Sequence, residues 1–228
     1  RGRRVLGCFG IIRIEGSSLK RKWRVYRVMG TVETGGLFGE KEVNRSEAIT
    51  KDEMELYLPR VREFIDRDVD HRDALVGHEW VYDDLTRLYR YDSGSFFHIA
   101  RVSEINKELA KFNTYPREQV LVMDRAGWAH DLGKLDIPRK ILKKEGPLER
   151  DERTRMKWHV FGSVKRLAEH GEREVIDIVV GHHLAGRDPY PSNVETEDDY
   201  LQRQRDLLIL SDVTDVLLSE RSYKKPVS

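Results

Sequence analysis

Apolar positions change their period once along this 228-residue chain. Within residues 5–35 they fall in short, glycine-bounded runs, Val5 to Ile14 and Lys22 to Met29. The second run sets Arg24 and Arg27 against apolar neighbours, as a half-buried strand does. A small β-containing module is predicted there. Its Lys20-Arg21-Lys22-x-Arg24 cluster reads first as a solvated strand face and second as a surface for an acidic partner. From Glu53 onward the spacing is helical. Val81, Leu85 and Leu88 lie at i, i+4 and i+7, and His98, Val102, Ile105, Leu109 and Phe112 continue the 3.6-residue period. A helix after Pro116 puts Val120, Met123, Gly127 and His130 on one face, with Gly133 placed to stop it. Another helix carries Met156, Val160, Val164 and Leu167, the next Val175, Val179 and His182, and the last runs from about Tyr200 to Ser219. The pattern predicts a mainly α fold, a helical bundle over residues 73–228 preceded by a small, partly β module over residues 1–72.

Composition narrows the class. Charged side chains make up 36% of the chain, well above the typical ~25%, which marks a heavily charged globular protein. The charges nearly cancel at net +1, so no global field argues for a nucleic-acid polymer or a membrane surface as partner. Cys8 is the only cysteine, which excludes an intrachain disulfide and a thiolate cluster and fits a reducing, cytoplasmic compartment. No apolar run approaches the ~18 residues of a membrane span. The chain begins on arginine without a signal-peptide pattern and is expected to be a piece of something longer.

The unusual feature is a set of ionisable residues on the apolar faces. His98, His130, His159, His182 and His183 fall at inward-facing or helix-end positions, and Asp131 and Asp212 interrupt apolar surroundings. One such histidine is more often a hydrogen-bonded core residue. Five with two carboxylates in one bundle reverse that, because burying them without a cation costs several kcal/mol per group. A metal uses neutral imidazole and carboxylate directly; nitrogen and oxygen ligands suit iron, manganese, zinc, cobalt or nickel and do not choose among them. Adjacent His130 and Asp131 can bind one metal and bridge to a second, and Lys134 one turn later can reach a substrate phosphate. Nothing resembling Gly-x-Ser-x-Gly or a P-loop is present, which disfavours acyl transfer and nucleoside-triphosphate hydrolysis.

These residues carry a resemblance. His98-x-x-Arg-Val, His130-Asp-Leu-Gly-Lys-Leu-Asp-Ile-Pro-Arg-Lys-Ile-Leu, Met156-Lys-x-His159-x-x-x-Gly162, His182-His183 and Ser211-Asp-Val-Thr-Asp-Val-Leu-Leu-Ser-Glu-Arg-Ser-Tyr-Lys-Lys follow one another in order. The stretch from about His98 to Pro226 resembles the HD superfamily of metal-dependent phosphohydrolases, and within it the HD-GYP cyclic di-GMP phosphodiesterases. The resemblance implies an HD-domain bundle in which His98, His130, Asp131 and Asp212 hold one divalent transition-metal ion. Asp131 would bridge to a second ion held by His159, His182 and His183. Lys134 would contact the scissile phosphate, with Asp131 and Lys134 catalytic. Tyr190, Arg221 and Lys224 would grip the cyclic dinucleotide or other nucleotide substrate, although arginine and lysine at these places are also ordinary surface charge. A homodimer is compatible with the family.

The chain departs from that pattern at two places. After the paired histidines the family has Glu and then Asp-Gly-x-Gly-Tyr-Pro, whereas this chain has Leu184-Ala-Gly-Arg-Asp188-Pro189-Tyr190-Pro191, one residue shorter and without the motif's glycines. Some members recruit a third metal through a glutamate one turn before the first histidine, where this chain has Gly94. The altered loop keeps two rivals open: another HD-type nucleotide phosphohydrolase, and a non-catalytic nucleotide-binding regulatory module.

Overall fold

The computed structural model describes residues 11–15, 22–26, 49–185, 188–192, 194 and 196–219. Strands β1 (Ile11–Glu15) and β2 (Lys22–Tyr26) pair antiparallel, Ile11 opposite Tyr26 and Glu15 opposite Lys22. The other residues up to 48 on which the reading of an N-terminal module rests lie outside the described residues. Everything described from Lys51 on is helix or connecting turn.

Helix α1 (Lys51–Asp66) starts on a reciprocal cap: Thr50 accepts from the Glu53 amide while the Glu53 side chain accepts from the Thr50 amide. Two otherwise unpaired donors of the first turn are thereby satisfied. Short α2 (Val69–Leu75) is capped by Asp68, and α3 (Glu79–Tyr91) buries Val81, Leu85 and Leu88 as their spacing predicts. Val61 and Ile65 of α1 and Leu75 of α2 join the same core, so the helical body takes in residues on the N-terminal side of 73.

The centre of the bundle is α4 (Ser93–Phe112), packed on α5 (Arg117–Ala129) and on α10 (Asp199–Leu218). The crossing of α4 and α5 depends on a missing side chain. A Cβ added at Gly127 would lie 2.5 Å from Ser103 Cα, so only glycine lets the two backbones approach this closely. That approach brings the rings of His98 and His130 to 5.5 Å.

The stripe predicted for α4 is corrected by the structure. His98 and Val102 are buried, but Ile105 and Leu109 are half-buried and Phe112 is 84% exposed. The C-terminal half of the helix instead buries Asn106, Lys107 and Ala110. Their polar groups are satisfied: Asn106 donates to Met123 O of α5 at 2.6 Å, and the Lys107 ammonium bonds Asp68, the cap of α2, at 2.6 Å and Glu104 one turn back at 2.8 Å. Apolar spacing alone cannot reveal a buried face whose polar residues are satisfied from elsewhere in the fold.

The helix predicted through Met156 and Val160 is also corrected, because α7 (Arg150–Met156) and α8 (His159–Glu169) are separate. Val160, Val164 and Leu167 are buried as predicted. Between α5 and these helices lie a 3-10 turn (Leu132–Asp136) and short α6 (Arg139–Leu142). Helix α9 (Arg173–Val179) ends before His182, which sits in the turn after it. Among the described residues no helix is long and apolar enough to cross a membrane.

Candidate metal centre

The seven residues expected to hold metal converge on one buried spot where α4, α5, α8, α10 and the turn after α9 meet. His98, His130 and Asp212 present ligand atoms within 4.8 Å of one another, and so do His159, His182 and His183. Asp131 lies between the groups. Its Oδ2 is 3.4 Å from both His98 Nε2 and His130 Nε2, while its Oδ1 is 3.2 Å from His159 Nε2 and 4.0 Å from His182 Nε2. His98 Nε2 is also 3.1 Å from Asp212 Oδ1.

Helix ends aim the imidazoles. His130 Nδ1 donates to Gly127 O at 2.8 Å, His159 Nδ1 to Met156 O at 2.7 Å and His182 Nδ1 to Val179 O at 2.6 Å. Each partner is the carbonyl three residues back, and a carbonyl can only accept, so the proton sits on Nδ1 and the Nε2 lone pair faces the centre. The break between α7 and α8 has its purpose here, since it places the Met156 carbonyl where His159 can reach it. The turn after Asp131 is fixed by a second close approach. A Cβ on Gly133 would sit 1.8 Å from His159 O, and Ser163 Oγ accepts from the Gly133 amide at 2.8 Å. Glycine at 133 therefore lets Asp131 and His159 come together.

Several of the inward-facing nitrogens face one another. His159 Nε2 is 3.2 Å from His182 Nε2 and 3.1 Å from His183 Nε2. His159 and His182 both carry their proton on Nδ1, so their facing nitrogens are two lone pairs that cannot bond each other. Burial lowers the pKa of all three, to about 3 for His183, so protons do not link these nitrogens. His130 Nε2 and Asp131 Oδ1 are buried without a hydrogen-bond partner. Burial opposes ionisation of Asp131, yet Lys134, His130 and His159 hold its carboxyl well below the usual range. Imidazoles with inward-facing Nε2 atoms around ionised carboxylates are the donor set of a divalent transition metal, so these residues fit one.

Two supporting residues are not apparent in the sequence reading. Asp215 Oδ2 accepts from His98 Nδ1 at 2.6 Å, and Arg101 binds both Asp215 oxygens. Asp215 lies one turn from Asp212 on the same face of α10, the one signal that pointed to it. Burial disfavours the imidazolium of His98, but Asp131, Asp212 and Asp215 outweigh it and raise its pKa to about 9.

Among the other site residues, Lys134 Nζ pairs with Asp131 Oδ2 at 2.5 Å. Tyr190 lies flat on His183, ring centroids 4.6 Å apart, and its amide donates to His183 O at 3.1 Å. Gly94 sits in the first turn of α4 and brings no side chain to the centre. Arg221 and Lys224 lie outside the described residues. A third acidic and histidine group, Asp68, His71 and Glu104, already holds its cation. The Lys107 ammonium sits among its oxygens, and the His71 ring bonds Asp124 at 2.8 Å and Glu104 at 2.9 Å.

A helical bundle that gathers histidines around a His-Asp pair at a helix end defines the HD class of metal-binding domains. The chain belongs to that family: the HD domain model matches residues 96–217, and the ordered motifs make it HD-GYP-like. It is 31% identical over 150 residues to the cyclic di-GMP phosphodiesterase response regulator RpfG of Xanthomonas campestris, covering 62% of this chain and 38% of that protein. It is 30% identical over 153 residues to a cyclic di-GMP phosphodiesterase of Pseudomonas aeruginosa, covering 62% of this chain and 34% of that one. A 3'3'-cGAMP-specific phosphodiesterase of Vibrio cholerae is 29% identical over 133 residues, covering 57% and 25%. The matched part thus spans little more than a third, or less, of the length of these relatives.

Proposed function

We propose that the chain is a metal-dependent phosphodiesterase that hydrolyses a cyclic dinucleotide, with cyclic di-GMP the first candidate. The observation that carries this reading is Asp131, which turns one oxygen toward His98 and His130 and the other toward His159 and His182. A carboxylate so placed supports a binuclear centre, with His98, His130 and Asp212 on one side and His159, His182 and His183 on the other. Iron or manganese is placed ahead of zinc, cobalt and nickel. Two such ions would lower the pKa of bound water toward about 7 and offset negative charge on phosphoryl oxygens.

The chain's own residues do the rest. Asp131, kept ionised by its neighbours, joins the two halves. Carbonyls behind His130, His159 and His182 and the carboxylate behind His98 hold the rings in the ligating tautomer. Lys134 is mostly buried beside Asp131 and is assigned to a non-bridging phosphate oxygen. Tyr190 walls the three-histidine side, and Arg221 and Lys224 are assigned to the far end of the substrate by resemblance. Similarity to a 3'3'-cGAMP-specific phosphodiesterase, together with the altered Asp188–Pro191 loop, favours a mixed cyclic dinucleotide as the second reading.

The test incubates manganese-loaded protein with cyclic di-GMP, 3'3'-cGAMP, linear dinucleotides and mononucleotides and identifies the products. Cyclic di-GMP should be opened, and Lys134→Ala should retain its metal while losing turnover by about 10²-fold, the scale of a lost charge-stabilising donor. Hydrolysis of mononucleotides alone would replace this reading with another HD-type phosphohydrolase. Binding without turnover of any of them would leave a nucleotide-binding module.

A further inference from the structure

The loop that departs most from the family pattern is held by a residue outside the proposed ligand and substrate set. Lys157 occupies the break between α7 and α8, two positions before His159. Its ammonium lies 5.0 Å from the centroid of the Tyr190 ring, over that ring, and donates to Asp188 Oδ2 from the same loop. Tyr190 in turn stacks on His183 at an interplanar angle of 25° and stands edge-on to His159, centroids 6.2 Å apart. Lysine, tyrosine and histidine thus form a continuous stack running from the protein surface to the three-histidine group. His183 needs such support. His98, His130, His159 and His182 each have Nδ1 tied to a carbonyl or carboxylate, whereas the described contacts of His183 are the facing His159 nitrogen and the rings around it.

We infer that Lys157 is a positioning residue for the metal centre: lying over Tyr190 and bonded to Asp188, it keeps Tyr190 flat against His183 and His183 turned toward His159 and His182. The inference rests on metal occupancy of the three-histidine group.

The sign of the effect separates positioning from simple charge. An ammonium near a cation site repels the cation, so removing it for electrostatic reasons alone would tighten metal binding. Losing a support for His183 weakens it. Partly exposed cation–π and ion-pair contacts together correspond to roughly 3- to 30-fold in an equilibrium constant. Lys157 is about one-third exposed and Asp188 mostly exposed, so substitution here leaves the core intact.

The experiment is a titration of metal-free protein with cobalt(II), followed by its visible absorption bands, with no nucleotide present. His183→Asn identifies the binding step that belongs to the three-histidine group. Lys157→Met should weaken that step roughly 3- to 30-fold and leave the other step unchanged, and Lys157→Arg should restore it. Tighter binding, no change, or equal weakening of both steps overturns the inference. A change in KM for a dinucleotide with metal binding untouched also overturns it, because Lys157 would then act on substrate directly. Absence of any cobalt binding by the native protein would instead sink the metal reading itself and this inference with it.

Discussion

Replacing Asp215 by alanine separates two effects that oppose each other at neutral pH. Asp215 binds His98 Nδ1 at 2.6 Å and is one of three carboxylates that raise the His98 pKa to about 9. The imidazolium of His98 must shed its Nε2 proton, keeping the Nδ1 proton that bonds Asp215, before Nε2 can ligate. Two pH units below its pKa, the proton's competition costs about 2.7 kcal/mol, or a hundredfold in metal affinity. Native affinity on the His98 side should therefore rise about tenfold per pH unit from 7 to 9 and then level off. Alanine removes the charged acceptor that holds the ring, a loss of about 1.5–3 kcal/mol, in keeping with the 10–100-fold usual for residues behind a ligand. It also lowers the His98 pKa, which weakens proton competition. The variant should bind metal about 10–100-fold more weakly at pH 9.5, show a smaller deficit at pH 7, and level off at a lower pH. Competition against a chelating dye across this range measures all three. The Arg101 side chain, half exposed, can turn to water, and a melting curve confirms that the variant folds. Equal affinity at pH 9.5 with an unchanged bend would refute the role of Asp215 as the support of His98.

Gly133→Ala should lower the melting temperature by at least about 2 °C, because its Cβ would meet the His159 carbonyl at 1.8 Å and the backbone must shift at a cost of about 1–3 kcal/mol. An unchanged melt would mean that the turn is not fixed as described. Asp68 has its pKa lowered from 3.8 to about 2, with burial opposing the shift and Lys107 and the His71 and Asp70 amides producing it. A depressed carboxyl pKa contributes stability that is present above the unfolded value and lost as pH falls toward the folded one. Asp68→Asn keeps a capping side chain but removes the charge, so denaturant titration should show a deficit of about 1 kcal/mol at pH 6, reduced for partial exposure, that vanishes near pH 2. A deficit constant across pH would assign the effect to packing.

Residue spacing revealed the ligand-bearing helices better than it revealed how the ligands are held. Val81, Leu85 and Leu88, the face from Val120 to His130, and α10 lie close to their predicted places because each pattern reflects burial against a single neighbouring surface. The C-terminal half of α4 differs because its buried face contains Asn106 and Lys107, whose partners Met123 and Asp68 are remote in sequence. The seven candidate ligands were legible as residue types on inward faces, and their convergence follows from the fold. Asp215 was quoted within a motif yet had no assigned role, since its partner His98 is 117 positions away. The carbonyls behind three of the histidines belong to the backbone, so no side-chain pattern could announce them.

Sequence distance also sets the order in which the centre can assemble. His159 and His183 are 24 residues apart, whereas His98 and Asp215 are 117 apart. With the logarithmic scaling of loop closure, the longer connection costs about 1.4 kcal/mol more chain entropy than the shorter. Both halves rest on α10: it brings Asp212 and Asp215 to His98, and its Arg205 donates to Asp177 O just before the turn that carries His182 and His183. During synthesis the centre therefore cannot be completed until α10, which carries Asp212 and Asp215, has left the ribosome. A truncation within α10 ahead of Asp212 would remove a ligand and the support of His98 together, since Asp212 and Asp215 lie on the same turn.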